Sequence, residues 1–181
     1  MSQDSFEAIT YHGGTNIAEA RNGAAEKATG DWLCFLDGDD ELGHGYLTEM
    51  ERVHRRHYAP KRLFTPAVSY VRNRRRRPAR FWPTIPFEKG NWLIIGTLIE
   101  REFFNEIGGF RDWPHGLEDW DLWARASLAG ASVVKVPRAV YVAHWNEESA
   151  HHVLARDRRA WNRWHQKVGH SLWPELYDAV E

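Results

Sequence analysis

Apolar positions along this chain repeat with two different periods, and the changes of period mark its elements. Residues 6–11 alternate weakly and end at His12-Gly13-Gly14, which predicts a short strand and a turn. A helix follows, capped by Asn16 with Glu19 three residues on and stopped at Gly30. Ile17, Ala20, Ala24 and Ala28 share one of its faces, small enough to lie closely on a sheet. Trp32, Leu33, Cys34, Phe35 and Leu36 then form an unbroken apolar run, the pattern of a central strand covered on both faces. It breaks abruptly into Asp37-Gly38-Asp39-Asp40. Helical spacing returns over residues 46–57, with Leu47, Met50 and Val53 as the buried stripe. Strands are expected over 63–71 and 92–100, the second followed by a short helix ending at Gly108-Gly109-Phe110. Glu118-Asp119-Trp120-Asp121 opens another helix, closed by Gly130. Residues 133–136 and 139–142 read as two short β pieces separated by Pro137. The stretch 153–168 sets Leu154, Trp161, Trp164 and Val168 on roughly one helical face. With no repeat and no linker, the expected organisation is one domain over residues 1–150 and a helical tail over 151–181. That tail is expected to pack on the domain or on a partner chain.

Composition removes several classes of function. Lys+Arg (24) nearly balance Asp+Glu (25), so no global charge argues for a nucleic-acid scavenger. A hydrophobic share of 43% supports a packed core. The single cysteine, Cys34, excludes an internal disulfide and an all-cysteine zinc site. The longest apolar run, broken by Gly96 and Thr97, is too short to span a bilayer, and MSQDSFEAIT lacks the features of a secretory signal. A soluble, cytoplasmic chain of α/β or α+β class is the expectation. Ten tryptophans in 181 residues remain to be explained.

Two acidic clusters carry the candidate chemistry. Asp37 and Asp39, one residue apart after a buried strand, can face outward together and hold a hard cation such as Mg²⁺ or Mn²⁺. On its own the tetrapeptide also reads as a solvated turn, since Asp and Gly are ordinary turn residues. A calcium EF-hand is excluded, because its sixth and twelfth positions would be Leu42 and Thr48. Glu118-Asp119 suits general-base work, in which a carboxylate takes the proton of an attacking hydroxyl. The alternative is that acids in a first helical turn complement the helix dipole, the role given to Asp121. A helix N-terminus also lowers a carboxylate's pKa, so a base there needs burial to offset it.

The flanks decide between these readings. The stretch NIAEARNGAAEKATGDWLCFLDGDDEL, residues 16–42, resembles the nucleotide-sugar segment of family-2 glycosyltransferases of the GT-A fold. In that family an Ala-Arg-Asn helix, an Ala-x-Gly stop and an apolar strand lead into Asp-x-Asp. Residues 93–130, LIIGTLIEREFFNEIGGFRDWPHGLEDWDLWARASLAG, resemble the family's acceptor half, with its Gly-Gly-Phe turn and Glu-Asp pair. The resemblance implies an α/β fold of GT-A type, with a Rossmann-like nucleotide-sugar-binding sheet and a C-terminal helical tail. It implies metal-dependent, inverting transfer of a sugar from a nucleotide-sugar donor to a saccharide, lipid-linked sugar or protein acceptor. By the same resemblance Asp39 holds Mn²⁺ or Mg²⁺, Asp37 lies at the donor ribose or metal shell, and Arg21 faces the nucleotide. His144 is a further metal ligand, Asp119 the base, and Glu118 orients the acceptor or Asp119. Gly96 and Thr97 fall on the acceptor side. An aromatic wall suits the apolar face of a sugar, and Trp120 is the candidate for it.

The resemblance spans residues 6–145 but only the later part of the family domain, whose first β-α-β unit holds the nucleobase. An N-terminally shortened sheet leaves an edge to be paired, so a homodimer or hetero-complex is expected. A non-catalytic nucleotide-sugar or carbohydrate-binding module is the alternative of a different class. A third reading is an interaction protein using the arginine loop over residues 72–80 and the tryptophans Trp161, Trp164 and Trp173. That loop carries Arg72, Arg74, Arg75, Arg76, Arg77 and Arg80. It reads as solvated, or as a grip on an anionic acceptor, a membrane surface or nucleic acid, although no nucleic-acid motif accompanies it.

Overall fold

Alternation of side chains across a strand sorts this protein into layers. Leu33 and Phe35 face a large core cluster, while Trp32 and Cys34 on the same segment face a second, smaller one. The computed structural model describes residues 6–113, 116–145 and 157–174. In chain order its elements are α1 (Ile17–Lys27), β1 (Trp32–Leu33), β2 (Glu41–Leu42) and α2 (Tyr46–His57). Then come β3 (Arg62–Arg72), β4 (Arg75–Arg76), a 3₁₀ turn (Phe87–Lys89), β5 (Ile99–Glu100) and α3 (Arg101–Glu106). The last are α4 (Glu118–Leu128), β6 (Ser132–His144) and α5 (Arg158–Leu172).

The sheet runs β2-β6-β3-β4, with β3 and β6 parallel and both flanking pairs antiparallel. A single bridge from Phe64 to Leu98 joins β3 to the β1-β5 pair. Tyr46, Met50 and Val53 of α2 pack with Phe64, Val136 and Ala139 on one side. The other side is covered by α1, α3, α4 and α5 around Leu33, Val68, Trp123 and Tyr141.

Several elements differ from their sequence patterns for identifiable reasons. Residues 6–11 join no ladder among the described residues. Instead Glu7 accepts from the Thr29 and Gly30 amides at the end of α1, and Tyr11 packs against Gly13 and Gly23. Residues 32–35 are covered on both faces as their composition demands, but Leu36 is 47% exposed, and only Trp32 and Leu33 pair, with Glu100 and Ile99. This segment lies at the edge of the described sheet, so apolar composition reported the layers and not the neighbours. Of residues 92–100 only Ile99–Glu100 are strand, because the chain turns at Gly96. The two β pieces around Pro137 are one strand: register jumps from Val136 opposite Pro66 to Val140 opposite Ala67, a bulge that keeps proline out of the ladder.

Helix α1 buries Ala18, Arg21 and Ala25, and Ile17 is 46% exposed, so its inner face is rotated from the alanine face read in the sequence. The cause is an arginine that belongs to the inside. Asn16 caps this helix as expected, but Glu19 turns back to the Thr15 amide and hydroxyl. The arginine loop contains a hairpin, in which Arg72 and Val71 pair with Arg75 and Arg76. Asn73 and Arg74 at its tip have φ of 51° and 62°, the two positive values of a type I′ turn. The tail helix occupies 158–172, capped by Asp157, with Trp161, Trp164 and Val168 against the larger core; Leu154 lies outside the described residues. No helix among the described residues is long and apolar enough to cross a membrane.

Candidate active site

Helix α1 connects the two acidic clusters through one side chain. The Arg21 guanidinium donates to Asp37 Oδ1 at 2.5 Å and to Glu118 Oε1 at 2.7 Å, with Phe110 beneath it at 5.2 Å. Glu118 is 4% exposed and its second oxygen has no hydrogen-bond partner among the described residues. A buried carboxylate tolerates this only because Arg21 compensates its charge. Residues 81 positions apart in sequence, Asp37 and Glu118, are thereby placed on one guanidinium.

Asp119 is half-buried beside them. Its Oδ2 accepts from the Asn91 side chain at 2.9 Å, and its Oδ1 from the Trp120 amide at 2.7 Å. Burial, and then the Glu118 charge, push its carboxyl up to about 7, against the opposing pull of Arg21. The offset that a base at a helix start requires is therefore present. A carboxyl near neutrality is suited to accepting a proton and giving it up again.

The acidic turn divides its four residues between different tasks. Asp37 is tied to Arg21. Asp40 accepts from the His144 amide at 2.8 Å and from the Tyr141 hydroxyl, and burial raises its pKa. Tyr141 also receives the Asp37 amide, so this buried phenol holds both ends of the turn. Asp39 is exposed and makes no hydrogen bond among the described residues. Pairing of β2 with β6 sets Glu41 opposite Val142, which brings the Glu41 carboxylate within 2.9 Å of His144 Nε2. His144 thus stands beside the acidic turn. Among the described residues no three His, Cys, Asp or Glu side chains converge as a ready-made metal cluster.

Three other expected site residues lie inside the fold. Thr97 is fully buried and its hydroxyl bonds Thr65 at 3.0 Å. Gly96 lies on the Tyr141 ring and its carbonyl accepts from the Tyr46 hydroxyl. Trp120 is 2% exposed, donates its indole N–H to the Phe87 carbonyl and stacks on His165 of α5, so it docks the tail and forms no open wall. Asp121 does more than complement the helix dipole. Fully buried, it pairs with Arg125, whose guanidinium also bonds the Ile107 and Gly109 carbonyls and fixes the Gly-Gly-Phe turn. Tyr141 and Asn91 had no signal in the sequence, being single residues outside any motif.

A Cβ at Gly96 would overlap the Tyr141 ring at Cδ2. Gly96→Ala is expected to cost about 1–3 kcal/mol, since the ring is enclosed and cannot retreat. The measurement is the urea midpoint; an unchanged midpoint would mean that the ring does move.

A three-layer α/β fold with an acidic turn at a strand end and a Glu-Asp pair at a facing helix start defines the GT-A class. The chain belongs to glycosyl transferase family 2, whose profile matches residues 3–111. Among solved structures it is similar to TarS of S. aureus (TM-score 0.58, 16% identity, 83% of this chain and 26% of that one). It is similar also to TarS 1-349 in complex with UDP-GlcNAc (0.55, 19%, 74% and 40%). A third is GalNAc-T7 with UDP, GalNAc and Mn²⁺ (0.52, 18%, 74% and 31%). This chain therefore spans less than half the length of each of those three. Among curated proteins no sequence matches it.

Proposed function

We propose that this chain carries the transfer centre of an inverting, metal-dependent glycosyltransferase, with Asp119 as the general base. The observation that carries this reading is the state of Asp119: half-buried, fixed by Asn91 and raised to about 7. In the proposed reaction an acceptor hydroxyl attacks the anomeric carbon of a nucleotide sugar from the face opposite the leaving diphosphate. Asp119 takes the hydroxyl proton as the new C–O bond forms and the bond to the diphosphate breaks, which inverts the anomeric centre. Arg21 pairs with both Asp37 and Glu118 and fixes their positions, so that the second turn of α1 positions both halves of the site.

A cation bound largely through a diphosphate needs only one or two protein ligands. Asp39, exposed and unengaged among the described residues, and His144, whose Nε2 lies 2.9 Å from Glu41 beside the turn, would supply an oxygen and an imidazole suited to Mn²⁺ or Mg²⁺. When bound, such a cation supplies charge neutralisation for the departing diphosphate. The Asp40 and Tyr141 bonds hold the turn that presents Asp39.

Thermal shift with nucleotide sugars, with and without Mn²⁺, tests the donor side. Uridine nucleotides come first, because UDP-GlcNAc and UDP occupy the structures named above. At a hundredfold excess over Kd, binding adds about 2.7 kcal/mol, a rise in Tm of roughly 5–10 °C for a domain of this size. That rise should need donor and metal together and should vanish in Asp39→Ala. Stabilisation that ignores the metal, or none with any nucleotide class, would overturn the reading.

A further inference from the structure

The arginine hairpin is the largest charged feature that the proposed chemistry leaves unused. Val71 lies opposite His144 in the parallel β3-β6 pair, so the chain leaves the sheet for the hairpin at the same end as the acidic turn. Arg74, Arg75 and Arg77 are exposed and form no ion pair among the described residues. Arg76 is held by Ser69 Oγ at 3.0 Å, and the return leg sets Arg80 opposite Val68. Of the ten tryptophans only Trp82 and Trp145 are exposed, at 40% each. They flank this hairpin: Arg80 lies over Trp82 at 5.4 Å and Arg72 over Trp145 at 4.7 Å. The fold therefore supplies the aromatic company that the linear sequence of the loop lacks. Tyr70 of β3 bonds the Trp82 indole and lies within electrostatic reach of Arg80, Asp40 and Asp119. Tyr70, bonded to the Trp82 side of the patch, therefore feels the charges of both the patch and the acidic clusters.

We propose that the 72–80 hairpin, with Trp82 and Trp145, is a docking site for the phosphate groups of an anionic saccharide whose hydroxyl is presented to Asp119. The proposal rests on the transferase reading. Guanidinium groups recognise phosphate in bidentate fashion, and flanking indole faces suit the apolar side of a sugar ring. The hairpin is also costly by itself. Arg72 stands directly opposite Arg75, and both tip residues hold positive φ without being glycine. An anion beside Arg74, Arg75 and Arg77 offsets the like charges gathered there. A bilayer or a long nucleic acid fits less well, because the acidic turn lies about two strand spacings away, roughly 10 Å, and repels an extended polyanion. Isolated phosphates along a saccharide can meet the hairpin and avoid the carboxylates.

The experiment compares binding of phosphorylated dextran with neutral dextran of equal length, by calorimetry on the full chain. The phosphorylated form should bind at least about tenfold tighter, with affinity falling as salt rises. The triple variant Arg74→Ala, Arg75→Ala, Arg77→Ala should lose that advantage while hydrolysing nucleotide sugar at the wild-type rate. Equal binding of the two dextrans, or an unaffected triple variant, overturns the proposal. So does tighter binding to vesicles of phosphatidylcholine and phosphatidylglycerol, or to single-stranded DNA, than to phosphorylated dextran. Asp119→Asn separates the two readings: it should keep dextran binding and lose hydrolysis. Hairpin-dependent binding in a wild type that never turns over donor would sink the transferase reading and leave the phosphate site standing.

Discussion

Asp119→Asn should reduce sugar transfer by about 10²–10⁴-fold, the range ascribed to a positioned general base, while the chain stays folded. Asparagine keeps the volume but accepts through one oxygen only, so it retains one of the two bonds from Asn91 and the Trp120 amide, and an unfolding curve recorded beside the rate separates lost proton acceptance from lost packing. The wild-type rate should fall as pH drops through about 7, where the Asp119 carboxyl takes up its proton. In the variant that acid limb should disappear. Stability runs in the opposite sense. A carboxyl whose folded pKa lies above its unfolded value favours the fold at low pH and loses that contribution as pH rises through about 7. The substituted amide cannot ionise, so the variant's Tm relative to wild type should rise between pH 6 and pH 8. A group that is costly to folding at working pH and required for turnover is the signature of a functional residue. Retention of most transfer activity by Asp119→Asn would remove Asp119 as the base.

Long periodic segments were legible in the sequence, and pairings were not. The stripe of Met50 and Val53 located α2, and the apolar run that includes Leu63, Phe64 and Val68 located β3, because burial alone dictates those patterns. The edge position of β1 was hidden, since an apolar run reports covered faces and says nothing of hydrogen-bonded neighbours. The hairpin at Asn73-Arg74 was hidden because the usual signal for its turn is a glycine, and arginine stands there instead. Arg21 misled the reading of α1 for a related reason. Arginine is counted as outside until its counter-charges are known, and these lie 16 and 97 residues away. Motif resemblance named both acidic clusters but could not assign the raised pKa of Asp119, which depends on burial and on the neighbouring Glu118. Tyr141 was invisible altogether. Its part in holding the turn arises from β2-β6 register, and a tyrosine in a strand has no distinguishing pattern.

Arg21→Met should be the most destabilising single change at the site, by about 3–5 kcal/mol. Methionine fills much of the same space, so the cost would come from charge. Glu118, with one oxygen already lacking a hydrogen-bond partner among the described residues, would lose the cation that compensates it inside the fold. Asp37 would lose less, because it is a third exposed and water can replace the guanidinium. Against a typical total stability of about 5–15 kcal/mol this is a large fraction, visible as a lower urea midpoint with unchanged slope. Adding Glu118→Gln to Arg21→Met should recover a substantial part of the loss, since the buried charge is then gone; the two changes must be non-additive. Strict additivity would show that the ion pair contributes nothing and that Arg21 acts by packing on Phe110. The same variant bears on chemistry. Arg21 lowers the pKa of Asp119, so its removal moves the acid limb of the rate profile above pH 7, whereas the double variant, lacking the Glu118 charge that raises it, returns the limb toward its wild-type position. A purely structural arginine would change the amplitude of that profile without moving its midpoint.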